Sequence, residues 1–319
     1  MIIYDLIIVG GGAAGLSAGI YSARYKLKTL IVQGDEPGGD TAIAALVENY
    51  PGFESIDGFE LTQKMENHAK NTGVEFAQGE VSIVQNQSHC FILKIGENTY
   101  QSKTIILANG SERRRLGLSN EKELVGKGVA YCTTCDSPVF KDKIVGIVGG
   151  GDASIKGANL AASYAKHLYL IAKGDSLIAE PVNLARFNEL KNTTVLYGTE
   201  VKEIVGKDRL EKVILSKAIN GNVDLKLDGL FIEIGAMPNN NLAKDLGVKL
   251  DERGYIDVDK FMQTSVDGIF AAGDISNASG YFKQTIMAAA QGAMAATSAY
   301  KDVGIHGKNL CELHAKAYE

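Results

Sequence analysis

Two stretches of the chain share one pattern, a run of apolar residues that ends in a glycine-rich turn. The first run is residues 6–9 and the second is residues 144–148. Apolar runs without polar alternation are typical of strands that are buried on both faces, as in parallel sheets. Small and apolar residues continue behind each turn, to about Tyr25 and about Lys166, before a further apolar run begins. Each stretch therefore predicts a strand–helix–strand unit.

The repetition of this pattern predicts the fold class. The second glycine turn begins at Gly149, 139 residues after Gly10. Two such units predict an α/β fold with two doubly wound, Rossmann-like dinucleotide-binding domains. Because the sequence shows no long linker, we expect short crossings and insertion of the second domain into the first. The expected domains are residues 1–113 with 243–319 and residues 114–242.

Other stretches predict the remaining elements. A late glycine block at residues 268–274 precedes an alanine-rich stretch from about Gln284 to Tyr300, which predicts a long helix. The stretches around residues 91–100 and 201–227 have the composition of strands with turns, including an Asn-Gly-Asn turn at residues 220–222. These stretches predict antiparallel strands added to each domain.

The composition is typical of a globular protein. The 319 residues are 45% hydrophobic and 22% charged, and the net charge of −5 is opposite in sign to that of most nucleic-acid binders. No apolar run approaches the roughly 18 residues that a membrane span needs, and Asp5 interrupts the N-terminal apolar stretch. We therefore expect no nucleic-acid partner, no membrane association and a cytoplasmic location.

The first glycine turn has the Gly-x-Gly-x-x-Gly pattern of a dinucleotide site. Gly10 allows the tight turn, Gly12 leaves room for a pyrophosphate, and Gly15 lets the helix approach the strand. The N–H groups of the first helical turn would then face the phosphates. Such sites usually carry an acid for the ribose at the end of the second strand. Gln33 occupies that place and predicts a weaker ribose contact.

The second glycine turn has Gly149 and Gly151 in the same places, with a serine where the third glycine would stand. At the end of the following strand, Lys173 cannot make the bidentate contacts by which arginines hold the 2′-phosphate of NADP. An NAD ribose needs an acid at this place, and the nearest one, Asp175, lies further along the chain. Two interpretations remain. Either Asp152, Ala153 and Lys173 belong to a nicotinamide-nucleotide site, or the fold has kept its shape while the electron donor has changed.

Cys132 and Cys135 form a Cys-x-x-Cys motif just ahead of the second strand–glycine unit. A pair at this spacing can open and close a small disulfide ring and can hold one thiol at a pKa near neutrality. Asp136, the next residue, can pass protons. A zinc site needs further ligands, and Cys90 and Cys311 are isolated in the sequence. The motif therefore favours redox chemistry over structural zinc.

The order of these motifs resembles that of the low-molecular-weight thioredoxin reductases, which are flavoprotein disulfide reductases. The resemblance covers nearly the whole chain. Besides the two glycine turns and the cysteine pair, it rests on residues 38–39, 47–52, 108–110, 235–239 and 273–274. Its most specific feature is the position of a redox cysteine pair immediately ahead of the second glycine turn.

The resemblance implies that FAD lies across the first domain. The residues implied to bind it are Gly10, Gly12, Ala13, Ala14, Gln33, Gly34, Gly39, Asn49, Val81, Ala108, Gly110, Gly273, Asp274, Lys283, Gln284 and Thr285. It further implies that Cys135 faces the flavin, that Cys132 attacks the disulfide of thioredoxin, and that Asp136 is the acid. The family also implies a homodimer that takes electrons from a nicotinamide nucleotide, NADPH or NADH.

The chain departs from the family pattern at the nicotinamide end. The family usually carries a His-Arg-Arg triplet and a later arginine for the 2′-phosphate, whereas residues 172–174 are Ala-Lys-Gly and Ile178 stands at the later place. Each charge-assisted bond contributes roughly 1.5–3 kcal/mol, so the loss predicts NADPH binding weaker by several orders of magnitude. The family's acidic pair after the second turn is replaced by Lys156 and Gly157.

Three hypotheses for the function follow. The leading one is a flavoprotein that passes electrons through FAD and the cysteine pair to thioredoxin. An alternative keeps this chemistry but replaces NADPH by another donor, such as a low-potential flavin or iron–sulfur carrier, or replaces thioredoxin by another disulfide protein. A more distant alternative is a non-catalytic flavin- or zinc-binding interaction protein.

Overall fold

The computed structural model describes residues 3–34, 37–87, 90–280 and 282–306. Within them the strands are β1 (Ile3–Val9), β2 (Thr29–Gln33), β3 (Glu75–Gln78), β4 (Val81–Gln87), β5 (Cys90–Ile95), β6 (Asn98–Leu107), β7 (Ser111–Arg113), β8 (Val129–Ala130), β9 (Ile144–Val148), β10 (His167–Ile171), β11 (Thr193–Leu196), β12 (Val201–Gly206), β13 (Leu210–Ile219), β14 (Asn222–Lys226), β15 (Gly229–Ile232), β16 (Ala236–Pro238) and β17 (Ile269–Ala271). The helices are α1 (Ala13–Arg24), α2 (Gly39–Ala42), α3 (Gly58–Asn71), α4 (Thr133–Asp136), α5 (Asp152–Ala161), α6 (Pro181–Glu189), α7 (Asn241–Asp245) and α8 (Thr285–His306), and a 3-10 helix covers Ser137–Phe140. No helix in this part of the chain is both long and apolar enough to span a membrane.

The chain forms two compact units. The first comprises Met1–Glu112 and Pro238–Glu319, and the second comprises Arg113–Met237. The chain leaves the first unit in β7 and returns in β16, and these two short strands pair with each other. The predicted α/β fold, with the second unit inserted into the first, is confirmed.

The first unit is built on a sheet that contains seven strands in the described residues. Their order is β3-β2-β1-β6-β5-β4, and β17 also pairs with β6. β1 runs parallel to β2 and β6, with Ile7 opposite Leu30 and Ile105. All three side chains are almost completely buried, as an apolar run without alternation predicts. β4, β5 and β6 pair in antiparallel fashion, which confirms the prediction for residues 91–100.

Helices α1 and α8 pack against each other through small residues. Gly292 of α8 comes so close to α1 that a Cβ there would lie 2.0 Å from the carbonyl oxygen of Ala14. Ala14 also belongs to the buried apolar cluster that includes Ala295 of α8. The predicted alanine-rich helix is confirmed, but it extends to His306, beyond the end expected at about Tyr300.

The second unit contains a parallel sheet in the order β11-β10-β9-β15-β8 and an antiparallel sheet in the order β12-β13-β14. Asn220 and Gly221 connect β13 to β14 and have positive φ angles of 50° and 83°. Two-residue hairpin turns favour this conformation because it matches the twist of the strands. The turn predicted at residues 220–222 is therefore confirmed.

Helix α5 ends at Ala161, so the predicted end at about Lys166 is wrong. The reason is a side chain from elsewhere in the unit. Asn192 donates from Nδ2 to the carbonyl oxygens of Ala162 and Ala165, at 2.9 Å each. Because these carbonyl groups are satisfied by Asn192, the chain can leave the helix, and the N–H of Lys166 bonds outside it.

Candidate active site

The first glycine turn, between β1 and α1, contains contacts that only glycine allows. Gly10 has a φ of +123°, and a Cβ there would lie 2.2 Å from the carbonyl oxygen of Ala108. A Cβ on Gly15 would lie 1.9 Å from the carbonyl oxygen of Gly10. Gly12, the N-cap of α1, has room for a Cβ, whose nearest neighbour would be the carbonyl oxygen of Gly38 at 3.9 Å. No side chain caps the helix, so its first N–H groups are available to an anionic ligand such as a pyrophosphate.

An open cleft of about 740 Å³ lies over this turn, within the first unit. All of the residues predicted to bind FAD line it, except Gln33 and Asn49. The predicted residues that line it are Gly10, Gly12, Ala13, Ala14, Gly34, Gly39, Val81, Ala108, Gly110, Gly273, Asp274, Lys283, Gln284 and Thr285. Sequence reasoning missed other residues of the wall, among them Asp40, Thr41, Asn109 and Asn239.

Gln33 stands at the end of β2 with a buried oxygen that has no partner among the described residues. Its Nε2 donates to Glu66 Oε1 at 3.3 Å. Its Oε1 lies beside the glycine turn, within 2.6 Å of where a Cβ on Gly11 would be. An unsatisfied buried acceptor costs about 1–3 kcal/mol, so a ligand hydroxyl would be bound favourably here. The ribose of a dinucleotide carries such hydroxyls, and the position therefore fits FAD.

Asn109 and Asn239 bond reciprocally in the cleft wall. Asn109 Nδ2 donates to the Asn239 carbonyl at 2.6 Å, and Asn239 Nδ2 donates to the Asn109 carbonyl at 2.9 Å. Asn109 Oδ1 is buried and has no partner in the described part of the chain, so it is a second acceptor open to a ligand. The two residues are 130 positions apart, and nothing local in the sequence indicates that they meet.

Asp274 and Lys283 lie together in the cleft beyond the end of β17. Lys283 Nζ donates to the carbonyl oxygens of Asp274 and Ser276 and lies 4.3 Å from the ring centroid of Tyr255. Burial raises the pKa of Asp274, although Lys283 opposes this change, and burial lowers the pKa of Lys283. A carboxyl that retains its proton more readily and a nearby amine can both bond to hydroxyl and phosphate oxygens.

Two side-chain contacts connect α2 and the segment after it to the start of α8. Asn49 Nδ2 donates to Gln284 Oε1 at 3.0 Å, and the hydroxyls of Thr41 and Thr285 are 3.0 Å apart. Asn49 does not itself line the cleft, but it holds Gln284, which does. Together, the glycine turn, the two unpartnered acceptors and this wall fit a bound flavin dinucleotide.

Cys132 and Cys135 form a disulfide in the second unit, with their Cα atoms 5.4 Å apart. Cys132 is the N-cap of α4, and its Sγ accepts a hydrogen bond from the N–H of Cys135 at 3.1 Å. Such a donor stabilises a thiolate at Cys132 when the disulfide opens. In the described residues, no group of three or more His, Cys, Asp or Glu side chains could hold a metal. Cys90 is buried in β5, and Cys311 lies outside the described residues.

Asp136 directly follows the cysteine pair, and its N–H donates to the carbonyl oxygen of Cys132. Burial raises the pKa of its carboxyl group. A carboxyl with a raised pKa keeps its proton closer to neutral pH, which a general acid beside a thiol requires.

Tyr131 precedes the cysteine pair and is anchored by a buried carboxylate. Its hydroxyl donates to Glu121 Oε1 at 2.6 Å, and Glu121 is only 3% exposed. The same carboxylate accepts hydrogen bonds from the N–H groups of residues 116–118. Desolvation by burial and the bond to Glu121 raise the pKa of Tyr131. Sequence reasoning missed this anchor because ten positions separate the two residues.

The second glycine turn has the geometry of the first. Gly149 has a φ of +146°, and a Cβ there would lie 2.3 Å from the carbonyl oxygen of Glu233. Ser154, which occupies the third glycine position, is buried and donates from Oγ to the carbonyl oxygen of Gly151 at 2.7 Å. Gly151 itself faces open space, with no atom within 4 Å of where a Cβ would be. The turn has therefore kept a dinucleotide-binding shape.

The side chain of Asp152 is engaged by other groups of the protein. Its Oδ1 accepts from the Glu180 N–H and from Asn183 Nδ2, at 3.0 Å each, and its Oδ2 lies 2.7 Å from Lys156 Nζ. Burial alone would raise the pKa of Asp152, but these three bonds lower it overall. Ala153 is exposed in the first turn of α5. Asp152 therefore holds the loop before α6 against the start of α5.

Lys173 lies at the end of β10 and is paired with Glu200. Its Nζ is 2.8 Å from Glu200 Oε1, and the other carboxylate oxygen of Glu200 is 2.6 Å from Lys202 Nζ. The hydrogen bonds and charges of the two lysines lower the pKa of Glu200 to about 2. Ile178, where the family usually carries an arginine, is 78% exposed. The expected place of a 2′-phosphate therefore offers Lys173, which is engaged by a carboxylate that it shares with Lys202.

Comparisons with known proteins agree with this description. The chain matches the family of pyridine nucleotide-disulphide oxidoreductases over residues 4–296. It is 39% identical over 298 residues to thioredoxin reductase from Bacillus subtilis (strain 168), covering 93% of each chain. Its structure matches that of Lactococcus lactis thioredoxin reductase with a TM-score of 0.89, at 33% identity and over 94% of this chain and 99% of the other. For T. acidophilum thioredoxin reductase the TM-score is 0.87, at 38% identity and over 94% and 98% of the two chains. The chain belongs to the pyridine nucleotide-disulphide oxidoreductases and, within them, to the low-molecular-weight thioredoxin reductases.

Proposed function

We propose that this chain is an FAD-dependent disulfide reductase that passes electrons through Cys132 and Cys135 to thioredoxin, and that its electron donor is not NADPH. One observation carries the proposal. The chain combines a cleft that fits a flavin dinucleotide with a redox disulfide. At the end of β10, where the ribose of a nicotinamide nucleotide would be recognised, it has no arginine. We assign FAD to residues 1–113 and 243–319, and the cysteine pair with the second glycine turn to residues 114–242.

FAD, when bound, supplies a two-electron relay between the donor and the disulfide. The glycine turn and the polar cleft wall would hold it, and Gln33 and Asn109 would each offer an acceptor to its hydroxyl groups. Reduction of the Cys132–Cys135 disulfide takes two electrons and two protons and yields a dithiol. We assign Asp136, whose pKa is raised by burial, as the acid that supplies one of these protons.

Thioredoxin is then reduced by two thiol–disulfide exchanges. The Cys132 thiolate attacks one sulfur of the thioredoxin disulfide, forming a bond to that sulfur, while the thioredoxin S–S bond breaks and its other sulfur leaves as a thiolate. The Cys135 thiolate next attacks Cys132 Sγ, which breaks the bond between Cys132 and thioredoxin and re-forms the internal disulfide. The two protons given up by the Cys132 and Cys135 thiols pass to the two thioredoxin sulfurs, which leave as a dithiol. The cysteine pair loses two electrons and thioredoxin gains two. The N–H of Cys135 supports the role of Cys132 as the attacking group, because it donates to Cys132 Sγ.

The proposed exclusion of NADPH follows from the charges at the end of β10. A 2′-phosphate is held by arginine forks, which give two parallel bonds in a fixed plane. Lys173 gives a single point charge, and Glu200 already pairs with it. Ile178 adds an apolar side chain where a further cation would be needed. The donors that do not require a 2′-phosphate site are NADH and a low-potential flavin or iron–sulfur carrier.

We further propose a homodimer that works in the cytoplasm. The dimer is supported by family membership. The cytoplasm is supported by the chemistry, because it is the compartment in which protein thiols are kept reduced.

An anaerobic titration of the purified holoenzyme tests the donor and the route separately. Flavin absorbance is followed during addition of NADPH, NADH and dithionite, and thioredoxin reduction is measured afterwards. We expect full bleaching by dithionite, onward transfer to thioredoxin, and no bleaching by micromolar NADPH. Bleaching by micromolar NADPH would overturn the donor proposal. Thioredoxin reduction that persists in the Cys132→Ser variant would overturn the route through the cysteine pair.

A further inference from the structure

Helix α5 approaches the redox turn most closely at Gly157. A Cβ on this glycine would lie 2.8 Å from Thr133 Cγ2, 2.9 Å from Thr133 Oγ1 and 3.2 Å from Thr133 Cβ. Rotation of the threonine side chain would not remove the overlap, because its Cβ and both of its branches contact the same spot. A Cβ at position 157 would therefore overlap Thr133 where that side chain stands in this structure.

The backbone conformation does not require a glycine at position 157. The residue lies in the interior of α5 and its φ is in the ordinary helical range, where alanine is intrinsically more favourable than glycine. The only advantage of glycine at such a helical position is that it has no Cβ. The contact with Thr133 is the structural reason for its presence.

Thr133 lies between the two cysteines and is fixed on several sides. It is 7% exposed and is the first residue of α4, directly after Cys132. Its carbonyl oxygen accepts a hydrogen bond from the Ser137 hydroxyl, and Ser137 is buried as well. On the other side of Cys132, the hydroxyl of Tyr131 is held by Glu121. Cys132 is thus placed between two anchored neighbours.

We infer that Gly157 is a positioning residue for the redox centre and acts through Thr133 on Cys132. The buried face of α5 then supports the cysteine turn. The inference rests on the proposed role of the cysteine pair and is independent of the identity of the electron donor.

The variant Gly157→Ala tests this contact. The overlap of alanine with Thr133 is present in the oxidised form, in which the disulfide ring closes the turn, and we expect it to be relieved when the ring opens. The oxidised form is therefore destabilised more than the reduced form. We expect the equilibrium constant for reduction by dithiothreitol to rise about tenfold, which corresponds to a reduction potential about 30 mV less negative.

The measurement uses holoenzyme equilibrated in buffers of reduced and oxidised dithiothreitol. The redox state of the peptide that contains Cys132 and Cys135 is then read by thiol labelling and mass spectrometry. In Thr133→Ala/Gly157→Ala, the equilibrium constant should return to within about twofold of that for Thr133→Ala alone, as expected for two residues in direct contact. Gly304→Ala is the matched control, because Gly304 also lies in a helix but no atom lies within 4 Å of where its Cβ would be. We expect it to leave the equilibrium constant unchanged.

Two results would overturn the inference. One is a wild-type equilibrium constant in Gly157→Ala, whatever happens to its thermal stability. The other is a shift that persists in the double variant, because the effect would then not pass through Thr133. Neither result depends on thioredoxin or on a nucleotide, so failure of the inference is distinguishable from failure of the proposed function.

A second arm applies where Gly157→Ala does not fold. Thr133→Ala leaves the space beside Gly157 unfilled and loosens the turn, which weakens the bond from the Cys135 N–H to Cys132 Sγ. The pH profile for alkylation of Cys132 in the reduced enzyme should then shift to higher pH. Thr133→Ser keeps Cβ and the hydroxyl and should retain the wild-type profile. A wild-type profile in Thr133→Ala would overturn the inference.

Discussion

Gln33 Nε2 donates a 3.3 Å hydrogen bond to the carboxylate of Glu66, and this contact explains why an amide stands where many dinucleotide sites carry an acid. Glu66 is also paired with Lys70 at 2.7 Å. A carboxylate at position 33 would face the Glu66 carboxylate, whereas the amide can donate to Glu66 and still offer its oxygen to a ribose. The departure of this chain from the common pattern is therefore matched by a neighbour on α3.

Gln33→Glu is expected to weaken FAD binding, although acids are common at this position in related sites. Two carboxylates about 4 Å apart near a protein surface repel by up to about 4 kcal/mol, and pairing of Glu66 with Lys70 reduces this effect. We expect the Kd of FAD to rise about tenfold at pH 7. Titration of the apoprotein with FAD, followed by flavin fluorescence, measures it. Gln33→Glu/Glu66→Gln is the matched control and should recover most of the affinity, and tighter binding in Gln33→Glu alone would refute the explanation.

Gly12 and Gly15 are expected to respond differently to the same substitution. A Cβ on Gly12 meets no protein atom closer than 3.9 Å, so Gly12→Ala should fold, but its methyl group occupies the path of the pyrophosphate. We expect its Kd for FAD to rise at least about 100-fold. A Cβ on Gly15 would overlap the Gly10 carbonyl oxygen, so Gly15→Ala should lower the free energy of unfolding by more than about 3 kcal/mol. Urea unfolding of the apoproteins and FAD titration separate the two effects. Wild-type FAD affinity in Gly12→Ala would contradict the placement of the pyrophosphate.

The two glycine turns could be predicted from the sequence because the contacts that shape them are local. Gly10 and Gly149 each end a buried strand and open a helix, and both have the positive φ that such a turn requires. The antiparallel hairpin at Asn220 and Gly221 was predictable for the same reason. In each case the residue types needed by the backbone stand next to one another in the chain.

The features that could not be predicted depend on residues that are distant in the chain. The end of α5 is determined by Asn192, which lies more than twenty positions beyond that helix. The pairing of Lys173 with Glu200 and the contact of Thr133 with Gly157 likewise join separate elements. The pattern of apolar positions specifies which elements form, but it carries no information on which side chains meet between them.

Arginines added at the end of β10 are expected to create recognition of a 2′-phosphate. Gly174 has an ordinary φ and no atom within 3.6 Å of where a Cβ would be, and Ile178 is 78% exposed, so both positions can accept a long side chain. At roughly 1.5–3 kcal/mol for each charge-assisted contact, Lys173→Arg/Gly174→Arg/Ile178→Arg should bind 2′,5′-ADP about 10²–10⁴-fold more tightly than the wild type. Calorimetry measures this affinity, with 5′-AMP as the reference ligand.

A control for this experiment must add the same charge elsewhere. Ser119→Arg/Val223→Arg adds two positive charges at exposed positions of the same unit and should leave the affinity for 2′,5′-ADP unchanged. If the control binds as tightly as the triple variant, the gain is a general effect of charge. If neither variant gains affinity, the missing arginines do not explain the exclusion of NADPH.

Asp136→Asn is expected to slow reduction of thioredoxin without affecting reduction of the flavin by dithionite. A general acid contributes about 10²–10⁴-fold to a rate, and an amide cannot replace it, so we expect turnover to fall at least about 100-fold. Because burial raises the pKa of Asp136, its carboxyl is protonated over a wider pH range than usual, and the wild-type rate should decline as pH rises through that pKa. Asp136→Asn should lack this decline. Asp142→Asn, at an exposed turn with a φ of 58° that asparagine tolerates, is the matched control and should behave as the wild type.

The same shift makes a second, independent prediction for stability. A carboxyl whose pKa is raised on folding contributes its stabilisation below the pKa of the unfolded chain, near 3.9, and loses it as pH rises through the pKa of the folded state. The free energy of unfolding of the wild type should therefore fall over this interval relative to that of Asp136→Asn, and the two curves should run parallel above it. Urea unfolding at a series of pH values between 3 and 8 measures the difference. Parallel curves over the whole range would show that Asp136 has an ordinary pKa. This result would contradict the assignment of Asp136 as the acid of the redox centre.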